Sequence, residues 1–369
     1  MGWRTDTDIQ QMLRDSARAW LAEAGGPGRV RAVRATEAGF DPAIWSGMGE
    51  MGWTGVLLPE SAGGSELGLG PALTLAEELG RAASPDPFIA SVFIAGTVLE
   101  ASTAEGAGDL LSGLAGGRHS VTLAWQEQRG TLGLPDLATR LSGGRLCGAK
   151  VHVPGWHPDT VLLVAAATDE GPCVVRIDPG APGVAVTPLR LADSSVCADL
   201  RFEEVEVAGE AVLLRGPAAQ AALDLAIARG TVAVCAQLEG LSTALWQMTA
   251  DYLRQRSQFG SQLADFQVIR HRMVDLYSEI EMGAASWRVA ATAVEAGDLS
   301  GPALHSAKAR CSQMAQDMGR WAIQFHGAFG YMEEADVGLF VHAGLCWSSW
   351  LGNPAAHRRA ALLAHRSGK

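Results

Sequence analysis

The chain has 369 residues, 48% hydrophobic and 19% charged, enough to bury the cores of two or three structural units. Its formal net charge of −11, with no basic run, excludes binding along a nucleic-acid backbone and gives no anchor for an anionic membrane surface. The six cysteines are scattered singly without a C-x-x-C pair, which argues against a metal site or a disulfide framework and for buried thiols.

From Thr5 to Ala22 the apolar positions Ile9, Met12, Leu13, Trp20 and Leu21 recur at helical spacing, with Thr5 or Asp6 placed to cap the start. No basic and apolar leader precedes this helix, and no stretch reaches the roughly 20 apolar residues of a membrane span, so the expected location is the cytoplasm. Asp41–Gly49 reads as a short helix. Gly52–Gly64 reads as an apolar segment ending in a turn, with a core strand and loop as the plainer alternative. Helical spacing returns from about Leu73 to Leu114 and completes an all-helical N-terminal unit, residues 1–118.

Composition then shifts. Between Val121 and Leu214 short β-like runs (Val161–Ala165, Cys173–Ile177, Val184–Val186, Asp199–Val207) alternate with turn residues such as Pro179, Gly180, Pro182 and Gly183. A small antiparallel barrel or sandwich is expected over residues 119–214. From Ala218 onward three long helical patterns and a shorter last one, near Ala335–Trp350, predict a C-terminal four-helix bundle over residues 215–369. The fold class is therefore α+β, multidomain, in the order helix, sheet, bundle.

Two stretches of the bundle carry a family resemblance, and two of the N-terminal unit add to it. Tyr252–Gly260 contains Arg256, Phe259 and Gly260 and is followed by Phe266-Gln267; it resembles the R-x-x-F-G helix end of the acyl-CoA dehydrogenase family. Gln324–Gly330 resembles that family's Q-x-x-G-G-x-G turn, with Gln324 and Gly327 matching and Ala328 in place of the second glycine. Gly52–Gly64 and Glu77–Arg81 resemble its G-W-x-G-x-x-x-P-E-x-x-G-G and E-E-x-G-R elements, and the resemblance spans essentially the whole chain.

The resemblance implies FAD as cofactor and acyl-CoA as substrate. In family members the arginine and phenylalanine reach across a subunit interface to the adenosine diphosphate end of a neighbour's FAD, where a pyrophosphate suits a guanidinium fork and close backbone amides. The implied cofactor residues are Arg256, Phe259, Gln324, Gly327 and Ala328. A catalytic carboxylate is not among them: counting from Gln324 without a gap, Leu351 stands where most members have their base, and the family's second base position falls on or beside Gly230. Abstraction of the substrate α-proton needs a group that accepts it, and neither residue does. The middle-domain loops that hold the flavin ring in relatives are also unmatched, with Ala124–Gly130 and Lys150–Trp156 in their places.

These losses and gains are lopsided, and they point to a heteromer in which this chain supplies the nucleotide half of a site whose ring and base belong to a homologous subunit. Heteromeric α2β2 acyl-CoA dehydrogenases of actinobacteria are similar, with base-less subunits ending in a run like Leu351–Arg358. An electron-transfer flavoprotein or similar acceptor is the implied redox partner. Two other readings stand beside this one: a self-sufficient flavin enzyme, with a displaced base or monooxygenase-like chemistry, and a scaffold subunit without catalysis. For individual residues, Arg256 also suits a helix C-terminus by charge alone, and His326 suits backbone bonding in a turn. Glu239 and Asp251 are expected on a solvated or interfacial face, one of Glu333 and Glu334 as a helix cap, and Trp347 and Trp350 in core packing.

Overall fold

The computed structural model describes residues 6–34, 36–37, 39–134 and 136–366. The first helices are α1 (Asp8–Glu23), α2 (Gly26–Val33), α3 (Pro42–Glu50), α4 (Leu69–Arg81), α5 (Gly96–Glu100) and α6 (Ala107–Ala115), with a π-helical turn at Ile89–Ala95. Strands β1 (Val121–Ala124), β2 (Arg140–Ser142), β3 (Arg145–Pro154), β4 (Val161–Thr168), β5 (Gly171–Ile177), β6 (Val184–Arg190), β7 (Val196–Glu206) and β8 (Val212–Arg215) follow. The chain ends in α7 (Gly216–Gln255), α8 (Gln267–Glu295), α9 (Pro302–His326), α10 (Val337–Ser349) and α11 (Pro354–Arg366).

Local chemistry sets most of these boundaries. The cap of α1 is Thr7, not Asp6; Thr5 lies outside the described residues. Thr7 Oγ1 accepts from Gln10 N while Gln10 Oε1 accepts from Thr7 N at 3.0 Å, the reciprocal pair of a capping box. Asp6 is instead drawn to Arg14 Nε at 3.0 Å. The short helix expected over Asp41–Gly49 runs from Pro42 to Glu50, and Asp41 caps it by accepting from Ala43 N at 2.9 Å. Gly52–Gly64 forms no strand: Val56 N donates to Trp53 O and Leu58 N to Gly55 O, so Trp53, Val56 and Leu58 are buried from successive tight turns.

The described residues cluster into two compact units. One comprises Arg31–Ala72 and Pro85–Gly230, the other Met1–Val30, Leu73–Ser84 and Thr231–Lys369. In the first, the sheet has eight strands in the order β6-β7-β3-β2-β4-β5-β8, with β1 also on β4. It is mixed and not wholly antiparallel, because β1 and β2 both run parallel to β4 and divide one of its edges. The apolar run of β4, with Leu162, Leu163, Val164, Ala165 and Ala166 fully buried, suits a central strand with neighbours on both sides. Leu146, Val164, Val175, Leu200 and Phe202 centre the core below it.

Among the described residues, the C-terminal bundle has five helices, α7 to α11, and not four. The last helical pattern breaks at Trp350–Asn353, and Pro354 opens α11, because proline fits a first turn where its missing N–H costs nothing. Helix α7 is long and apolar enough to cross a membrane by length and composition, yet 78% of that apolar window is buried inside the fold, as in a core helix. Helices α4 and α7 cross at two glycines. A Cβ on Gly240 would lie 1.9 Å from Glu77 O, and one on Gly80 would lie 2.0 Å from Gln237 O, so the backbones touch there.

Candidate functional site

Helix α7 ends in a short hairpin in which Ser257–Gln258 pairs with Ser261–Gln262. Its tip, Phe259-Gly260, is left-handed at both residues, with φ of 54° and 80°. Leu263 N closes the loop onto Arg256 O at 2.9 Å. The turn throws Phe259 outward until it is 94% exposed, with its ring T-shaped to Phe266 at a centroid distance of 6.4 Å. Arg256 is also exposed, and its guanidinium has no partner among the described residues.

At the same end of the bundle, α9 stops at His326 and Gly327–Tyr331 makes a single 3-10 turn. Gly327 has φ 59° and ψ −138°, a conformation open essentially to glycine alone, while a Cβ there would meet nothing within 4 Å. Backbone geometry, not space, demands the glycine. Gln324 and Ala328 are exposed, Gln324 on the rim of a cleft of about 350 Å³ between α9 and α10.

Tyr252 joins the two stretches. Its ring stacks on His326 at 4.3 Å and lies parallel to Phe329 at 5.9 Å, and its hydroxyl donates to His326 O. His326 is buried, which lowers its pKa, and its Nδ1 bonds Ala322 O at 2.8 Å, the backbone role its place in a turn suggests.

Leu351 sits in the α10–α11 turn, 2% exposed and left-handed at φ 57°. For a non-glycine residue this conformation costs on the order of 1 kcal/mol, so the surroundings must hold it. His357 Nε2 donates to Leu351 O at 2.8 Å and Lys308 Nζ to Gly352 O at 3.1 Å. Glu239 departs from expectation. It is fully buried, with Oε1 accepting from Thr243 Oγ1 at 2.9 Å, because α7 is enclosed on almost every side and its period defines no solvent face there. Asp251 is exposed and pairs with Arg254 at 2.9 Å. Glu333 and Glu334 do not cap α10, whose N-cap residue is Asp336. Trp347 is buried, as expected of a packing residue.

Family models for the acyl-CoA dehydrogenase N-terminal and C-terminal domains match residues 7–118 and 208–361. Acyl-CoA dehydrogenase FadE28 of Mycobacterium tuberculosis is 32% identical over 262 residues, 69% of this chain and 73% of that protein. The chain belongs to the acyl-CoA dehydrogenase family. It is similar along more of its length to acyl-CoA dehydrogenase IpdE2 of the same organism, 27% identical over 339 residues and 91% of each chain. A solved variant of the Tcur3481–Tcur3483 steroid ACAD shares 28% identity and superposes with a TM-score of 0.88 over 97% of this chain and 98% of its own.

As an acyl-CoA dehydrogenase family member, the chain is an FAD-dependent oxidoreductase whose reaction class is dehydrogenation of acyl-CoA. Its residues fit the two ends of FAD unequally. On the ring side, the positions that the sequence marks as unmatched are committed internally. Lys150, fully buried, donates to Glu127 Oε1 at 2.7 Å, and Glu127 also accepts from Ala138 N and Thr139 N. Burial lowers the Lys150 pKa to about 8, with Glu127 partly opposing the shift. Burial alone would raise the Glu127 pKa, but Lys150 and the two amides overcome it and hold the carboxyl below its ordinary range. Pro154 has no N–H, and its carbonyl accepts from Thr122 Oγ1 at 2.7 Å; His152 N is spent on Asp199 Oδ1 at 2.9 Å. Lys150, Glu127, Pro154 and the His152 N–H are thus taken up by partners within the chain. On the nucleotide side, by contrast, an exposed guanidinium, an exposed aromatic ring and a glycine turn stand together at one end of the bundle, a donor set suited to a pyrophosphate and its adenosine.

Proposed function

We propose that this chain is the nucleotide-gripping subunit of a heteromeric acyl-CoA dehydrogenase, its homologous partner subunit supplying the ring cradle and the proton-abstracting carboxylate for an acyl-CoA thioester. The observation that carries the proposal is Leu351, a buried apolar side chain at the family's base position, set against an Arg256 guanidinium without a partner among the described residues. Similarity to the Tcur3481–Tcur3483 steroid ACAD, a protein named for two components, supports a pairing of unlike subunits. An electron-transfer flavoprotein or a similar acceptor is the redox partner that this reading implies.

Arg256 would hold the pyrophosphate by charge-assisted hydrogen bonds, Phe259 would pack on the adenosine end, and Gln324 with the Gly327-Ala328 backbone would offer further polar contacts. FAD bound there would supply the acceptor for the β-hydride. The α-proton leaves to the partner's carboxylate, because leucine holds no lone pair that could take it.

The test is co-expression with a homologous, carboxylate-bearing subunit. Arg256→Ala should reduce FAD retained through purification of the complex by about ten- to a hundred-fold, from the 1.5–3 kcal/mol of a hydrogen bond to a charged group; Arg256→Lys should fall between. Unchanged FAD occupancy in Arg256→Ala defeats the proposal. This chain purifying alone with FAD and oxidising acyl-CoA would establish a self-sufficient enzyme, and a complex free of flavin would establish a scaffold.

A further inference from the structure

The α10–α11 turn is gripped by Lys308 of α9 and His357 of α11, with His305 of α9 behind His357, and none of the three has a part in the proposed nucleotide site. Lys308, completely buried, donates to Ser312 Oγ at 2.9 Å and to the carbonyls of Trp347, Ser348 and Gly352 at 3.4, 3.1 and 3.1 Å. The Trp347 and Ser348 carbonyls lie in the last turn of α10, where a cation is favoured, and Gly352 follows in the turn itself. His357, 1% exposed at the start of α11, donates from Nε2 to Leu351 O, which leaves its Nδ1 as an acceptor. His305 Nδ1 of α9 faces that atom at 3.1 Å and must supply the single proton between the rings.

We propose that His305, Lys308 and His357 form an acid-sensitive latch that docks the start of α11 against α9 and fixes the turn bearing Leu351. The geometry admits one proton between the two imidazoles. With both rings charged, two N–H groups would oppose each other at 3.1 Å beside the Lys308 ammonium, and the rings must part. The groups that face His357 are Lys308, His305 and the Leu351 carbonyl; Asp298 and the Ser300 backbone act on His305 from the far side.

Burial first, then Lys308 and His305, lower the His357 pKa from 6.5 to about 3, and burial lowers that of His305. A base whose docked pKa is depressed binds more protons when undocked, so the latch holds fully above about pH 6.5 and loosens as pH falls toward 3. At pH 4.5 the undocked state of α11 gains on the order of a hundred-fold relative to pH 7.5.

Amide hydrogen exchange on the full chain, corrected for intrinsic rates, reads this directly. Between pH 7.5 and 4.5, peptides of α11 should lose at least ten-fold more protection than peptides of α8. In His357→Gln, whose amide bonds Leu351 O and accepts from His305 without titrating, α11 should track α8. Parallel loss in the wild type, or an undiminished extra loss in His357→Gln, overturns the latch. Should that variant not fold, imidazole Cε1 hydrogen exchange in the wild type reports the His357 titration without any substitution; α11 opening at a pH where His357 is still neutral overturns the proposal equally.

Discussion

Arg14→Ala should destabilise the helical unit by about 3 kcal/mol, the cost of stranding a buried ion pair. Arg14 reaches from α1 into α4, where its Nη1 donates to Glu77 Oε1 at 2.7 Å and to Glu78 Oε1, and its Nη2 donates to Glu77 Oε2 at 3.1 Å. Both carboxylates are essentially without solvent contact. Burial opposes the guanidinium charge, but the Glu77 hydrogen bond and the charges of Glu77, Glu78 and Asp6 more than offset it. Glu78 would keep Arg18 at 2.8 Å and Arg81 at 3.5 Å, and Glu77 would keep Arg288 at 3.7 Å, which is why the expected loss lies at the lower end for a broken buried pair. Arg14→Lys should recover only part of it, because one ammonium cannot fork between two carboxylates. Urea unfolding followed by far-ultraviolet circular dichroism measures both variants, and a loss under about 1 kcal/mol for Arg14→Ala would contradict this account of α1 docking.

Gly240→Ala should cost about 2 kcal/mol or more, although alanine is the better helix former by about 1 kcal/mol. The new methyl would stand 1.9 Å from Glu77 O and 3.2 Å from Arg81 N, and backbone atoms cannot turn away as a flexible side chain can. Helices α4 and α7 must therefore move apart. Gly80→Ala breaks the same crossing against Gln237 O, so the double variant should cost less than the sum of the singles. Gly108→Ala is the control: it lies inside α6 with nothing within 4 Å of a Cβ, and it should raise stability by about 0.5–1 kcal/mol. A neutral Gly240→Ala would mean the crossing is looser than the contact distances require.

Elements governed by local chemistry were legible from residue order. Asp41-Pro42 marks a helix start, because a side-chain cap and a preset φ act within one turn. The alternating runs of the sheet are likewise visible, as is the order helix, sheet, bundle. What escaped were features set by distant partners. The parallel pairing of β1 and β2 with β4 depends on which edge is free, and an apolar run looks alike in either sheet type. Glu239 carries a charge that suggests solvent, yet it lies in the core, because helical period specifies a face only when the helix has an open one. The split after Ser349 was signalled by Gly352 and Pro354, but not that the break would bury Leu351 and resume as α11.

By itself, the sequence determined family membership and the expectation that Leu351 stands at the base position, since both rest on residue identity and spacing. Only the tertiary structure decided what surrounds Leu351. Whether a lysine on α9 meets carbonyls of a turn about forty positions away, or a tyrosine at the end of α7 stacks on the turn after α9, depends on helices packed side by side. Such contacts come from the close packing of elements remote in sequence, and a linear pattern, which encodes neighbours a few residues apart, carries no direct record of them.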